Sequence, residues 1–251
     1  MAGRRVTLAT CAVVLLLTAA APVAMAAPHK PKTAVLYGDS LLWETTKALM
    51  KDIRKDVGWR VVVRAVPATA PCDWLPQLQR DIARFRPTLV GLESAGASWT
   101  RCMIDPATGG HYIDTTPAWV DKYTYDLDAF FRTVTGSGVR MMFIAPPPTA
   151  LFTAVSDDLV AIADVESAKF PGASVARAPA LAVTVGGKFT WTLPCMGDEG
   201  TRKGCESGRI AVRNSDGLHF CPRPWGRNVC PGYSSGEMRF AAGIAASIGT
   251  S

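Results

Sequence analysis

Histidine is scarce in this chain: there are three in 251 residues, His29, His111 and His219. A site that needs several imidazoles is hard to build from so few. None of the cysteines shows the paired C-x-x-C spacing of a structural zinc site, so no metal is expected. Charge is also sparse, with Asp, Glu, Lys and Arg at 19%. The 27 basic residues outnumber the 21 acidic ones, for a formal net charge of +6, but they are scattered. There is no basic stripe with interleaved aromatics, which argues against a nucleic-acid partner. A mild attraction to acidic cell-surface polymer is the most this charge supports. No internal repeat is present. Past the N-terminus, no apolar run is long enough to cross a bilayer.

The N-terminus reads as a processing segment. Arg4 and Arg5 form a basic start, Cys11 to Ala21 is apolar, and Ala24-Met25-Ala26 is a small-x-small cleavage site. Residues 1–26 are thus expected to be a signal peptide, and 27–251 a single exported domain, secreted or held at the cell envelope. Beyond Cys11 the cysteines are Cys72, Cys102, Cys195, Cys205, Cys221 and Cys230. An even set in an exported protein argues for disulfides. The favoured pairing is Cys72–Cys102, Cys195–Cys205 and Cys221–Cys230, the last two closing short local loops.

Strand-like and helix-like stretches alternate. Ala34 to Tyr37 reads as a buried strand and Leu41 to Lys55 as an amphipathic helix, with Leu41, Leu42, Thr45, Leu49 and Ile53 on one face. Further strands are expected at 59–66, 88–92, 139–145 and 174–177, and helices at 77–85, 118–135, 156–169 and 234–248. Residues 67–76 and 93–117 read as loops, and 188–231, rich in Gly, Cys and Arg, as a disulfide-tied loop region. The alternation predicts an α/β fold of three layers, α/β/α, around a mostly parallel central sheet. Sites in such sheets form beyond the carboxyl ends of the strands. Ser40, the 67–72 loop, the 93–102 loop and Pro146–Pro148 are expected at that edge.

Ser40 follows the turn Gly38-Asp39 at the junction of the first strand and helix. There a hydroxyl sits at the sheet edge, beside helix N–H groups able to bind an oxyanion. The stretch alone leaves open whether Asp39 or Ser40 is only a helix cap. Near the other end, Asp216 and His219 are three residues apart. A helical turn would put them on one face, with the carboxylate accepting from Nδ1 and leaving Nε2 as a base. A loop hydrogen bond beside Cys221 is the alternative. His29 lies in the lead and His111 in the Gly109-Gly110 loop, with only Asp114 near it, so His219 is the better base. Asp39 could be a second acid/base carboxylate but reads as a turn-holding residue; Trp43 and Trp99 could stack on a sugar or acyl group but read as core residues or loop anchors; Glu93 reads as part of a local network; Arg101 and Arg213 could bind an anionic substrate but read as solvated.

Taken together, the two ends resemble the SGNH hydrolases, also called the GDSL esterase and lipase family. Gly38-Asp39-Ser40-Leu41 is similar to the family's first block and Asp216-Gly217-Leu218-His219 to its last. Cys72-Asp73-Trp74, Cys102-Met103 and Cys230-Pro231-Gly232-Tyr233-Ser234-Ser235-Gly236 resemble segments of exported actinobacterial members. The middle blocks differ. Pro67-Ala68-Thr69-Ala70-Pro71 stands where a glycine is usual, and Gly96-Ala97-Ser98 where Gly-x-Asn is usual.

The resemblance implies an SGNH, flavodoxin-like fold and a serine carboxylic-ester hydrolase. Ser40 would be the nucleophile, His219 the base and Asp216 its orienting carboxylate. The N–H of Ser40, the backbone at Ala68, Thr69 or Ala70, and Gly96 or Ser98 would hold the oxyanion. The substrate would be an O-acyl ester, such as one on a cell-envelope glycan or lipid, with no metal or organic cofactor. An O-acyltransferase using the same residues, and an inactive cell-envelope binding module, are the alternatives.

Overall fold

Ala34 and Leu36 point to one face of the first strand, and Val35 and Tyr37 to the other; all four are fully buried. A strand buried on both faces needs helices on both, and the fold follows from that. The computed structural model describes residues 31–197, 199, 204–221 and 234–250. The expected signal peptide, 1–26, lies outside them. Among the described residues no helix is long and apolar enough to cross a membrane.

The central sheet has five parallel strands: β1 (Thr33–Gly38), β2 (Arg60–Ala65), β3 (Leu89–Glu93), β4 (Arg140–Ile144) and β5 (Ala173–Ala176). Their order is β2-β1-β3-β4-β5. On one face, α2 (Pro71–Phe85), α3 (Pro117–Gly136) and α4 (Thr153–Lys169) cover Val35, Tyr37, Val90, Leu92, Met141 and Phe143 with Leu78, Trp119, Phe130, Phe131 and Leu159. On the other, α1 (Ser40–Asp52) and α6 (Ser235–Gly249) cover Ala34, Leu36, Met142 and Ile144 with Leu41, Leu49, Phe240 and Ile244. The three-layer α/β/α architecture expected from the alternation is borne out.

From β1 the chain moves outward to β2, then crosses back to β3 on the other side of β1. The strand order reverses at that place, so the carboxyl ends of β1 and β3 flank a crevice. Ser40 follows β1, and Glu93 closes β3.

Three elements depart from expectation. First, α2 begins at Pro71 rather than Gln77. Proline at a first helical position lacks only an N–H that has no helical partner there, and the Asp73 carboxylate accepts from the Ala70 N–H at 2.8 Å. Pro76, which suggested a loop, sits inside the helix. Second, the α1 stripe runs on past Asp52 as one wider turn, Ile53–Val57, stopped by left-handed Gly58. Third, the C-terminal loop region contains an antiparallel hairpin, β6 (Thr192–Pro194) with β7 (Arg209–Ala211). A short helix α5 (Ala178–Leu181) precedes it. Cys195–Cys205 ties the hairpin and Cys72–Cys102 ties the start of α2 to the loop after β3. The third expected pairing involves Cys230, which lies outside the described residues.

Candidate active site

Ser40 is the first residue of α1. Its N–H is one of the four that a helix start leaves without a helical acceptor. The turn before it is held by Asp39. One carboxylate oxygen accepts from the Leu41 N–H at 3.1 Å, capping the helix, and the other accepts from the Ala95 N–H at 2.7 Å. Asp39 thus links the turn after β1 to the loop after β3, in keeping with a turn-holding role. Its own N–H donates to Glu93 at 3.2 Å. Both carboxyls are almost fully buried. Burial raises both pKa values, Glu93 the further, because the Asp39 charge adds to it. Two carboxyls this close share protons rather than both ionising.

Asp216 and His219 sit on a turn, not a helix. Gly217 makes it possible, with φ at +68° and Ala150 so near that a Cβ would lie 2.4 Å from the alanine Cβ. The Asn214 N–H donates to the His219 carbonyl at 2.7 Å, closing the turn. One Asp216 oxygen accepts the N–H groups of Leu218 and His219, both at 2.9 Å. The other lies 2.7 Å from His219 Nδ1. Burial pushes the Asp216 pKa up, but the His219 side chain and these two N–H groups outweigh it and hold it below the ordinary value. Asp216 is therefore the anionic partner, and Nδ1 carries the shared proton. His219 Nε2 lies 3.0 Å from Ser40 Oγ across 179 residues of sequence.

Ser40 and His219 open on a cavity of about 740 Å³, with Asp216 behind the imidazole and outside the lining. Of the residues expected to hold an oxyanion, Ala68, Gly96 and Ser98 line it, with Ala95 and Ala97 beside them, while Thr69 and Ala70 are not among the lining residues. Ala68 has φ +61°, a left-handed backbone that a glycine would take without strain. Thr69 Oγ1 donates to the Val66 and Gly38 carbonyls instead. The Ser98 hydroxyl is engaged: it donates to Asp114, lies 3.3 Å from the Gly96 carbonyl and accepts from Trp119 Nε1 at 2.9 Å. Its proton goes to a carboxylate, so backbone amides are the better oxyanion donors. Gly96, at φ +93°, packs so closely on Val155 that a Cβ would come within 2.2 Å of it.

Several residues lie where the favoured sequence reading did not put them. Trp99, read as a core residue or anchor, is 79% exposed, lines the cavity and packs at a tilt against His111 with centroids 5.4 Å apart. Trp43, Phe152, Val155 and Leu218 complete an apolar wall. Pro146–Pro148 do not line the cavity; Phe152, four residues on, does. Arg213, expected on a solvated face, is buried. Its Nη2 donates to the Pro148 carbonyl at 3.4 Å, its guanidinium lies 4.8 Å over the Phe220 ring, and burial lowers its pKa to about 10. Glu44, one helical turn after Ser40, is also buried in the wall. A carboxylate on the apolar stripe of α1 was a readable signal. The sulfurs of Cys72 and Cys102 and a carboxylate oxygen of Asp73 lie within 4.8 Å of one another, but the sulfurs are joined as a disulfide and are not thiolate ligands.

No protein-family model matches the chain, and no curated protein matches it in sequence. Similarity appears at the level of fold. The chain is similar to the lipase/acylhydrolase from Enterococcus faecalis, at 15% identity and a TM-score of 0.51, over 87% of this chain and 96% of that one. It is similar to the psychrotrophic esterase EstA from Pseudoalteromonas sp., in a structure inhibited by monoethylphosphonate, at 12% identity and a TM-score of 0.52, over 87% and 97%. TesA aligns at 14% identity with a TM-score of 0.52, over 86% and 98%. Identities this low speak to the fold alone, and the chain has the SGNH-like fold that its end motifs implied.

Proposed function

We propose that the protein is an exported serine ester hydrolase of the SGNH type. The observation that carries this reading is the alignment of Ser40 Oγ, His219 and Asp216 through contacts of 3.0 and 2.7 Å, with Ser40 and His219 at the wall of one cavity. In this reading His219 Nε2 takes the Ser40 proton as Oγ attacks the ester carbonyl, then returns it to the departing alkoxide. Asp216 stabilises the imidazolium. In this reading the amides of Ser40, Ala68 and Gly96 would stabilise the developing oxyanion. Water, activated by His219, then releases the acyl group. Trp43, Phe152, Val155 and Leu218 offer an apolar wall to the acyl chain. Export is supported by the two disulfides and by the leader-like residues 1–26. An O-acyl ester of a cell-envelope glycan or lipid fits an exported enzyme with this wall.

The test is turnover of a p-nitrophenyl ester series, acetyl to dodecanoyl, by the oxidised mature protein. Hydrolysis that rises with chain length and is lost in Ser40→Ala supports the reading. Adding a sugar acceptor separates hydrolysis from acyl transfer. A folded protein that turns over no ester, but binds isolated cell-wall polymer equally well with or without Ser40, would be a binding module.

A further inference from the structure

We infer that Glu44 is a positioning residue for His219, clamping the helix that carries the nucleophile to the segment that carries the base. The inference rests on the hydrolase reading above. Glu44 and Ser40 are four residues apart on α1, so their side chains leave the same face of the helix. Glu44 is only 1% exposed. Its Oε2 accepts the Phe220 N–H at 2.8 Å, and the Cys221 N–H also bonds to this carboxyl. These are the two peptide groups that follow His219.

Residues 214–221 belong to no strand or helix, so no backbone ladder supplies acceptors for those donors. A side chain must do so, because a buried N–H left without a partner is costly. The other side of the Phe220 peptide is held as well. Ser234, the cap of α6, donates its hydroxyl to the Phe220 carbonyl at 2.7 Å and accepts from the Glu237 N–H at 3.3 Å. The Phe220 ring packs on Phe240 of α6 with centroids 5.1 Å apart. The peptide after the base is thus gripped from α1 and from α6, and the α1 grip comes from the helix that begins with Ser40. Release of that grip lets His219 Nε2 drift from Ser40 Oγ. The hydrophobic wall stays in place, so the loss falls on turnover rather than on substrate binding.

The experiment compares Glu44→Ala, Glu44→Gln and Glu44→Asp with the wild type in ester hydrolysis, fluorophosphonate labelling rate and thermal unfolding. Glu166→Ala is the control. That acid is also buried, but it lies on α4 and pairs with Lys169 away from the cavity. Glu44→Ala is expected to lower kcat and labelling rate about 10²-fold with KM within about threefold. Glu44→Gln keeps an acceptor oxygen and is expected to restore most of the loss. Glu166→Ala is expected to lose stability without losing kcat. If Glu44→Ala does not fold, Glu44→Asp carries the test, since it retracts the carboxylate by one methylene and should lose about tenfold in kcat. A wild type that labels, with a Glu44→Ala that labels as fast, overturns this inference alone. Equal losses in Glu44→Gln and Glu44→Ala overturn the acceptor role. A wild type that takes no phosphonate overturns the hydrolase reading and this inference with it.

Discussion

The two halves of the candidate site are built differently. Ser40 stands at the end of a fully buried parallel strand and the start of a capped helix, so regular backbone structure fixes its place. Asp216 and His219 stand on an irregular turn, fixed by hydrogen bonds to Asp216, by Gly217 against Ala150, and by side chains reaching in from α1 and α6. A nucleophile held by the sheet should tolerate loss of single side chains around it. A base held by side chains should not.

The largest way to break this contrast is Asp216→Asn. It leaves the Ser40 side intact and removes the charge that orients His219. Ester turnover should fall roughly 10²–10⁴-fold, with little change in thermal stability. Steady-state kinetics beside a melting curve checks both parts.

The next acts on the other side. Cys72–Cys102 closes a span of 30 residues between the start of α2 and the loop after β3, the two segments that bring Ala68 and Gly96 to the cavity. Replacing both cysteines by alanine should cost about 3–4 kcal/mol of stability on the chain-entropy account. The Ser40–His219 contact belongs to other elements, so phosphonate labelling should survive at temperatures where the variant is folded. Denaturant unfolding with labelling at low temperature reads this out.

The smallest sharpens the base side. Burial, reinforced by the Glu44 carboxylate, raises the Glu237 pKa from an ordinary 4.5 to about 7. A carboxyl raised on folding favours the folded state while protonated. Its contribution is whole below about 4.5 and is lost as the pH rises through about 7. Glu199 has the opposite sense. Burial disfavours its charge, but the ion pair with Arg239 and the Met196 N–H outweigh that and hold it at about 2, so its contribution persists at neutral pH. Glu237→Gln stays neutral, and should match the wild type near pH 4.5 and exceed it by about 2–3 kcal/mol at pH 8. Denaturation at the two pH values measures the difference.

The same contrast explains what was legible beforehand. The strand and helix around Ser40 announce themselves, because a run of buried apolar residues and a 3.6-residue stripe are local signals. The layers follow from alternation, while the strand order that sets the reversal point does not. Asp216 and His219 are legible as a pair but not as a turn, since spacing alone fits both a helix and a closed loop. Trp99 reads as a core residue or loop anchor because an aromatic side chain says nothing local about which side of a cavity it will line. Ser98 reads as an oxyanion donor until Asp114, sixteen residues on, takes its proton. Arg213 reads as solvated until Phe220 and Pro148 close over it. Each of these depends on a contact between segments that sequence order keeps apart.

The central claim is that His219 and Asp216 activate Ser40. Its most direct test is labelling of the purified, oxidised protein with a fluorophosphonate, with the modified residue mapped by peptide mass spectrometry. The account predicts one adduct, on Ser40, absent in Ser40→Ala and slowed at least about 10³-fold in His219→Ala. A folded wild-type protein with no adduct, or an adduct on another residue, would contradict it.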